Sequence, residues 1–150
     1  MEPTPWSAAL DTGHPALDEQ HRNQFRLHAE ALDSARSGDL GAARSALAEL
    51  LAHTREHFAF EEKLMVESGY AQRELHHKAH LTFMDDLVSL VGEGARDSSS
   101  AVLRLWLESR YASWWKWHVR SNDAPLARYL LAQATPPPPE ARPAVARSEP

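Results

Sequence analysis

The sequence predicts an all-α protein: an antiparallel up-down-up-down four-helix bundle followed by a disordered Pro-rich tail. Apolar residues recur at three- and four-residue steps over four stretches of roughly twenty residues, and the connections between these stretches are short. Strand-like alternation is absent. A chain of 150 residues suits one domain with one core. We therefore expect the bundle to occupy residues 1–134 and the tail to occupy residues 135–150.

Helix-breaking residues separate the four predicted helices. After an irregular start over residues 1–13, the first helix is expected from residue 16 to 37, the second from 40 to 67 with Asp39 as its N-cap, and the third from 72 to 91. A loop at 92–100 leads into the fourth, which begins near Ser99. Pro125 disfavours helical geometry at Ala124, so the fourth helix should end or bend near Asn122, with a short further turn at 126–133.

Composition narrows the classes of function. The formal net charge is −5, which gives no basic surface for nucleic acid. Neither a signal peptide nor a membrane span is visible in the sequence, so a cytoplasmic protein without membrane or nucleic-acid partners is expected. The absence of cysteine excludes disulfides, thiolate zinc sites and iron–sulfur clusters. Any metal must be held by imidazole and carboxylate, which suits iron, zinc, copper or manganese.

Histidines and acids fall on the helix faces that should point into the bundle. Residues four apart share a helix face, and the sequence contains two such pairs: His57 with Glu61, and His76 with His80. The first predicted helix adds a histidine and the fourth adds a histidine and an aspartate: His21, His118 and Asp123. On an ideal α-helix Asp123 would point about 140° away from His118, so it can join the group only near a bend.

Five imidazoles and two carboxylates are too many ligands for one ion. Two ions bridged by the carboxylates can use them, with three imidazoles on one ion and two on the other. A bridging oxide or hydroxide would leave one open position, where a small molecule such as dioxygen could bind. The alternative is a set of hydrogen-bonded core histidines without metal, which the cost of burying so many polar groups disfavours.

Four segments carry a resemblance to a known family: LDEQH at 17–21, HFAFEE at 57–62, HHKAH at 76–80 and WWKWHVRSND at 114–123. Over roughly residues 6–131 the sequence resembles the hemerythrins, especially their bacterial single-domain members. The resemblance implies a non-haem di-iron site. His76, His80 and His118 would hold one iron, and His21 and His57 the other, with Glu61 and Asp123 bridging. It also implies that dioxygen binds reversibly to the two-histidine iron.

The predicted ligand pocket departs from the family pattern at two positions. Trp115 stands where leucine is common, and Gln24 stands where an apolar residue is common. We predict that these two residues alter oxygen release or autoxidation. The other expected pocket walls are apolar: Phe58, Trp114 and Val119. His53 is interpreted as a packing or supporting residue near the ligands, with a proton relay or a displaced ligand as the alternatives, and Glu62 as a surface charge or at most a supporting group.

The function expected from these features is reversible, non-enzymatic dioxygen binding for transport, storage or delivery to a protein acceptor. One alternative is an oxygen, redox or iron sensor that acts through a signalling partner. Another is a di-iron oxidase, a peroxidase or an enzyme that handles nitric oxide. Ferritin-like oxidases use more glutamates, so the histidine-rich set argues against that class. The oligomeric state stays open.

Overall fold

The computed structural model describes residues 6–94 and 100–134 of the chain. Three long α-helices come first: α1 (Pro15–Ser37), α2 (Leu40–Ser68) and α3 (Arg73–Gly94). A fourth continuous helical rod, α4, spans residues 100–134. These elements form the four-helix bundle that the sequence predicts, and no strand occurs in the described residues. The predicted disordered tail and most of the predicted 92–100 loop lie outside the described residues.

The ends of α1 and α2 follow from their capping residues. The side chain of His14 accepts a hydrogen bond from the backbone N–H of Leu17, and Pro15 occupies the first turn, where its missing N–H costs nothing. Gly38 ends α1 with φ 78°, a left-handed conformation that glycine adopts without strain. Asp39 then accepts from the backbone N–H of Ala42, which confirms it as the N-cap of α2.

The sequence predicted that the fourth helix ends or bends near Asn122, and in the structure the helix does not end there but continues through a local irregularity. The rod α4 contains two π-helical segments, Trp106–Tyr111 and Val119–Asp123, and returns to α-helical geometry over Ala124–Ala134. Pro125 cannot donate to a carbonyl in the preceding turn, and its ring crowds that turn in a regular α-helix. A wider π turn immediately before Pro125 relieves this crowding, so the rod continues, and residues 126–133 belong to it and do not form a separate short turn.

Most of the apolar core lies at a different level of the bundle from the polar cluster, although core members such as Phe58 and Trp115 also pack against that cluster. The apolar core packs side chains from all four helices, and members such as Leu32, Leu50, Leu87 and Leu107 are at most 2% exposed. Buried polar residues gather nearer the other end, at the start of α1, the second half of α2, the start of α3 and the middle of α4. Nowhere in the described residues is a helix both long and apolar enough to cross a membrane.

Candidate metal centre

The structure brings the seven predicted ligand residues together in the interior of the bundle. Each is at most 3% exposed, and every helix contributes at least one of them. Their nitrogen and oxygen atoms form two overlapping groups, in each of which all the atoms lie within 4.8 Å of one another. The first group contains Glu61, His76, His80, His118 and Asp123, and the second contains His21, His57, Glu61 and Asp123.

Asp123 and Glu61 each present one oxygen to each group. Asp123 Oδ1 lies 3.0 Å from Nε2 of both His76 and His118, whereas its Oδ2 lies 2.9 Å from Nε2 of His21. Glu61 Oε2 lies 3.0 Å from Nε2 of His80, and its Oε1 lies 3.4 Å from Nε2 of His57. The arrangement therefore has a three-histidine half and a two-histidine half, joined by two carboxylates.

The centre contains a set of buried polar atoms that protein groups leave unsatisfied. Both carboxylate oxygens of Glu61 and of Asp123, and Nε2 of His21 and His57, have no hydrogen-bond partner among the described residues. The nearby imidazole nitrogens approach these oxygens without hydrogen-bond geometry. Burying two carboxylates in this way is costly unless a cation balances them. An oxygen and nitrogen donor set without thiolate suits iron, so the residues fit a pair of such ions.

The second π segment of α4 explains how Asp123 reaches this centre. In a π-helix the backbone hydrogen bonds join residues five apart, so residues five apart lie nearly above one another. Val119–Asp123 has this geometry, and it starts directly after His118. The sequence predicted that Asp123 can join His118 only near a bend or an end of the helix, and the irregularity in the structure is this π turn. This wider turn places the Asp123 carboxylate on the same face of α4 as His118.

Hydrogen bonds from outside the centre orient several of the imidazoles. His57 Nδ1 donates to the Gln20 side-chain oxygen at 2.7 Å, and His80 Nδ1 donates to Glu62 at 3.0 Å. A proton on Nδ1 leaves Nε2 as the electron-pair donor that faces the centre. Of the two interpretations of Glu62, a surface charge or at most a supporting group, the contact fits the second, whereas Gln20 was not singled out. Helical spacing gives no partner across helices, so only the packed bundle reveals these pairs.

Burial and mutual attraction shift the pKa values inside the centre. Burial and the charge of Asp123 both favour neutral Glu61, but the surrounding imidazoles, His57 first, outweigh them and lower its pKa to about 2. Burial lowers the pKa of His57 to about 4. Burial acts in the same direction on His76, but the nearby carboxylates outweigh it and raise its pKa to about 9. Without a cation, protonated imidazole balances the carboxylates, and a metal would displace those protons.

Freed of metal by a chelator, the protein is expected to be most stable near pH 6.5. The raised pKa of His76 contributes stability that is complete below the ordinary value of 6.5 and is lost as pH rises through about 9. The lowered pKa of His57 contributes stability that is complete above 6.5 and is lost as pH falls through about 4. Thermal unfolding followed by circular dichroism should show a Tm about 5 °C lower at pH 9 and at pH 4 than at pH 6.5.

A Tm that stays constant or rises between pH 6.5 and 9 would contradict this pH dependence. The control is His76→Phe, which removes one of the two imidazoles, with His21, whose raised pKa gives the alkaline loss. In that variant the decline above pH 6.5 should flatten, while the acidic decline assigned to His57 should persist.

The predicted pocket residues divide between the two halves of the centre. The indole of Trp115 is fully buried and lies 5.6 Å from the His57 ring and 6.2 Å from the His21 ring, centroid to centroid. Its ring also lies 6.1 Å from that of His118, so Trp115 contacts both halves, with His57 as its nearest imidazole. Phe58 stacks on His80 at 3.8 Å but also contacts Trp115, so it touches both halves.

Trp114 and Val119 take different places. Trp114 stacks on His118 at 4.3 Å, in the three-histidine half, and no ring contact joins it to His21 or His57 within the described chain. Val119 is buried at the start of the second π segment. Aromatic rings on three elements therefore line the two-histidine half: Trp6 beside His21, Phe58 beside His57, and Trp115 beside both.

Gln24 is the centre of a buried hydrogen-bond network beside the two-histidine half. Its Nε2 donates to Thr54 Oγ1 and to the Tyr111 hydroxyl, both at 2.6 Å, and its Oε1 accepts from His53 Nδ1. An amide at this position could in principle donate a hydrogen bond to a bound ligand. Both amide hydrogens of Gln24 are already used in these bonds, so Gln24 cannot do so. His53 supports Gln24 and stacks parallel to His57 with ring centroids 6.5 Å apart.

Comparison with known proteins gives concordant matches. A family model described as the hemerythrin HHE cation binding domain matches residues 12–130. The chain is 29% identical over 124 residues to a bacteriohemerythrin of Pseudomonas aeruginosa, covering 79% of this chain and 76% of that protein. It is 32% identical over 121 residues to a hemerythrin-like protein of Naegleria gruberi, covering 81% and 88%. A crystal structure of a hemerythrin with a leucine-to-tyrosine substitution superposes with a TM-score of 0.72 at 22% identity, covering 87% of this chain and 98% of that one.

Proposed function

This chain belongs to the hemerythrin family, and from that premise we propose that it binds dioxygen reversibly at a non-haem di-iron centre, as a carrier, a store or a delivery protein. Family and fold, together with the buried imidazoles and carboxylates, support an oxygen-binding protein with non-haem iron. The relatives point to a non-enzymatic protein, as the sequence predicts. The cytoplasmic location and the protein acceptor stay predictions.

The observation that carries the proposal is the division of five imidazoles into three and two around two carboxylates that face both halves. His76, His80 and His118 would hold one iron, and His21 and His57 the other. Glu61 and Asp123 would bridge the pair. Two iron ions there would supply the electrons that reversible dioxygen binding needs. The unequal division makes the two-histidine half the place where a ligand can enter.

Protein groups around the two-histidine half orient an imidazole ligand and keep water out of the site. The side-chain oxygen of Gln20 accepts from Nδ1 of His57 and holds its Nε2 toward the centre, whereas Nδ1 of His21 has no such partner among the described residues. The indole of Trp115 and the ring of Phe58 are buried beside it and exclude water. Excluding water and protons favours release of oxygen over its irreversible reduction.

The direct test is to count iron and follow the visible spectrum through repeated cycles of reduction, exposure to air and removal of oxygen. We expect two iron atoms per chain and an oxygenated band that appears and disappears reversibly. A single tetrahedral zinc, or less than one metal per chain after reconstitution with ferrous iron, would refute the di-iron centre. Rapid irreversible oxidation with two irons bound would refute the carrier role and favour a sensor or an enzyme.

Trp115→Leu and Gln24→Leu are expected to change oxygen release and autoxidation. Leucine at 115 opens space beside His21 and His57, so release measured by stopped flow should quicken by about tenfold, equivalent to 1.4 kcal/mol. Leucine at 24 leaves the Tyr111 hydroxyl and Thr54 without their donor and should raise the autoxidation rate. Trp106→Leu, a partly buried tryptophan that was not placed in the pocket, is the control. Wild-type rates in both variants would show that these side chains do not control the site.

A further inference from the structure

The five imidazoles of the centre differ in the group that faces Nδ1, the ring nitrogen on the side away from the centre. In His80 this atom donates to the carboxylate of Glu62 at 3.0 Å. In two of the others it faces a side-chain amide, and in the last two it has no partner among the described residues: His57 and His118, then His21 and His76. Within the described chain, His80 is therefore the one ligand imidazole that is hydrogen-bonded from outside to a negatively charged side chain.

Helical geometry places Glu62 between α2 and α3. Successive residues of an α-helix point about 100° apart. Glu61 points into the centre, so Glu62 points toward one side of α2, and α3 packs on that side. In the same way His77 follows His76 on α3 and faces Glu62. The side chains of His77 and Glu62 reach the surface, whereas His80 is buried.

One oxygen of Glu62 accepts both of its hydrogen bonds. Its Oε1 lies 2.8 Å from Nδ1 of His77 and 3.0 Å from Nδ1 of His80. The bond from His77 holds the carboxylate in place against His80. An imidazole whose Nδ1–H donates to a carboxylate is a stronger electron-pair donor at Nε2, the atom that His80 presents to the centre. Stronger donation and nearby negative charge both favour the higher oxidation state of a bound metal ion.

We propose that Glu62 lowers the reduction potential of the iron in the three-histidine half by acting through His80. This inference rests on the proposed function. Reduction adds one electron from an external one-electron donor, ferric iron becomes ferrous with one unit less positive charge, and no bond of Glu62 forms or breaks. The carboxylate attracts the ferric ion more strongly than the ferrous ion, so it opposes this step. Glu62 is a positioning residue, since it contacts His80 and not the site of the metal.

The test is a redox titration of the iron-loaded full-length chain. Glu62→Gln removes the charge and keeps an oxygen that can accept both hydrogen bonds. One of the two reduction potentials should rise by about 59 mV, which corresponds to a tenfold change in the ratio of ferric to ferrous iron. Gln20→Glu places a carboxylate behind His57, in the other half, and should lower the other potential by a similar amount. Glu67→Gln, an exposed acid on α2, is the control and should move neither potential.

Iron affinity separates the charge of Glu62 from mere support of the His80 ring. In Glu62→Gln, competition with chelators should show ferric iron bound about tenfold more weakly and ferrous iron bound within about twofold of the wild type. Glu62→Ala also removes the hydrogen-bond acceptor and should weaken the binding of both oxidation states, as the loss of a group that orients a ligand does. A purely supporting role would leave both affinities and the potentials unchanged in Glu62→Gln.

The outcomes distinguish this role of Glu62 from the proposed function. Failure of the wild type to bind two irons would refute the di-iron centre itself. Two irons bound with wild-type reduction potentials in Glu62→Gln would overturn the role of Glu62 alone. If Glu62→Gln does not fold, Gln20→Glu decides the question, because unchanged potentials there would show that a charge behind an imidazole has no effect at this centre.

Discussion

An Asp123→Ala variant is expected to bind one iron atom per chain or fewer, against two in the wild type. Asp123 Oδ1 is 3.0 Å from Nε2 of His76 and of His118, and Oδ2 is 2.9 Å from Nε2 of His21. Removing this carboxylate therefore takes a ligand from both halves at once. Replacing even a supporting group of a metal ligand commonly weakens binding by about 10- to 100-fold, so the loss of a bridging ligand should exceed that range. Iron content after reconstitution and gel filtration measures the effect.

The matched control is Asp85→Ala, which removes a carboxylate from the exposed face of α3 and should leave two irons bound. Circular dichroism of the metal-free proteins should show similar helix content in both variants. An Asp123→Ala protein that keeps two irons with wild-type affinity would refute the bridging role assigned to this residue. It would also leave the geometry of the π segment without a functional reason.

Deleting Ser121 is expected to leave the metal centre able to bind two irons, whereas inserting one alanine after Ser121 should abolish this. The π segment Val119–Asp123 holds one more residue per turn than an α-helix would. Deletion of the exposed Ser121 would place the histidine and the aspartate four residues apart, on one face of a regular α-helix. The rod beyond it keeps its register, because the extra residue was already absorbed by the wide turn. Insertion puts His118 and Asp123 six residues apart, and neither an α-helical nor a π-helical turn then brings these two side chains onto one face.

Iron content and thermal unfolding of the two variants test this prediction. The deletion variant should retain two irons but lose stability, because a regular α-helical turn brings the ring of Pro125 against a carbonyl of the preceding turn. An insertion variant that still binds two irons would show that the π segment does not set the position of Asp123. An Ala deletion at Ala132, near the end of the rod and outside the centre, controls for shortening the chain.

Local patterns in the sequence predict the helices and the content of the centre. Three- and four-residue spacing determines α1, α2 and α3 to within a few residues, and Asp39 marks the start of α2. Spacing also predicts that His57 and Glu61, like His76 and His80, share a face, and the structure places both pairs in one buried cluster. These are interactions over one turn of helix, which neighbouring residues decide. That the cluster binds iron stays a prediction until metal is measured.

Only the tertiary structure decided the features that depend on contacts between helices. Pro125 in the sequence predicted an end or a bend of the helix, and only the structure shows that a π turn continues the rod and carries Asp123 into the centre. The partners of Gln24 lie 29 to 87 residues away along the chain, so no local pattern could predict the direction of its hydrogen bonds. Helical periodicity fixes which face a residue occupies. The burial of that face against three other helices fixes what the residue touches, because unpaired polar groups must find partners in the packed interior.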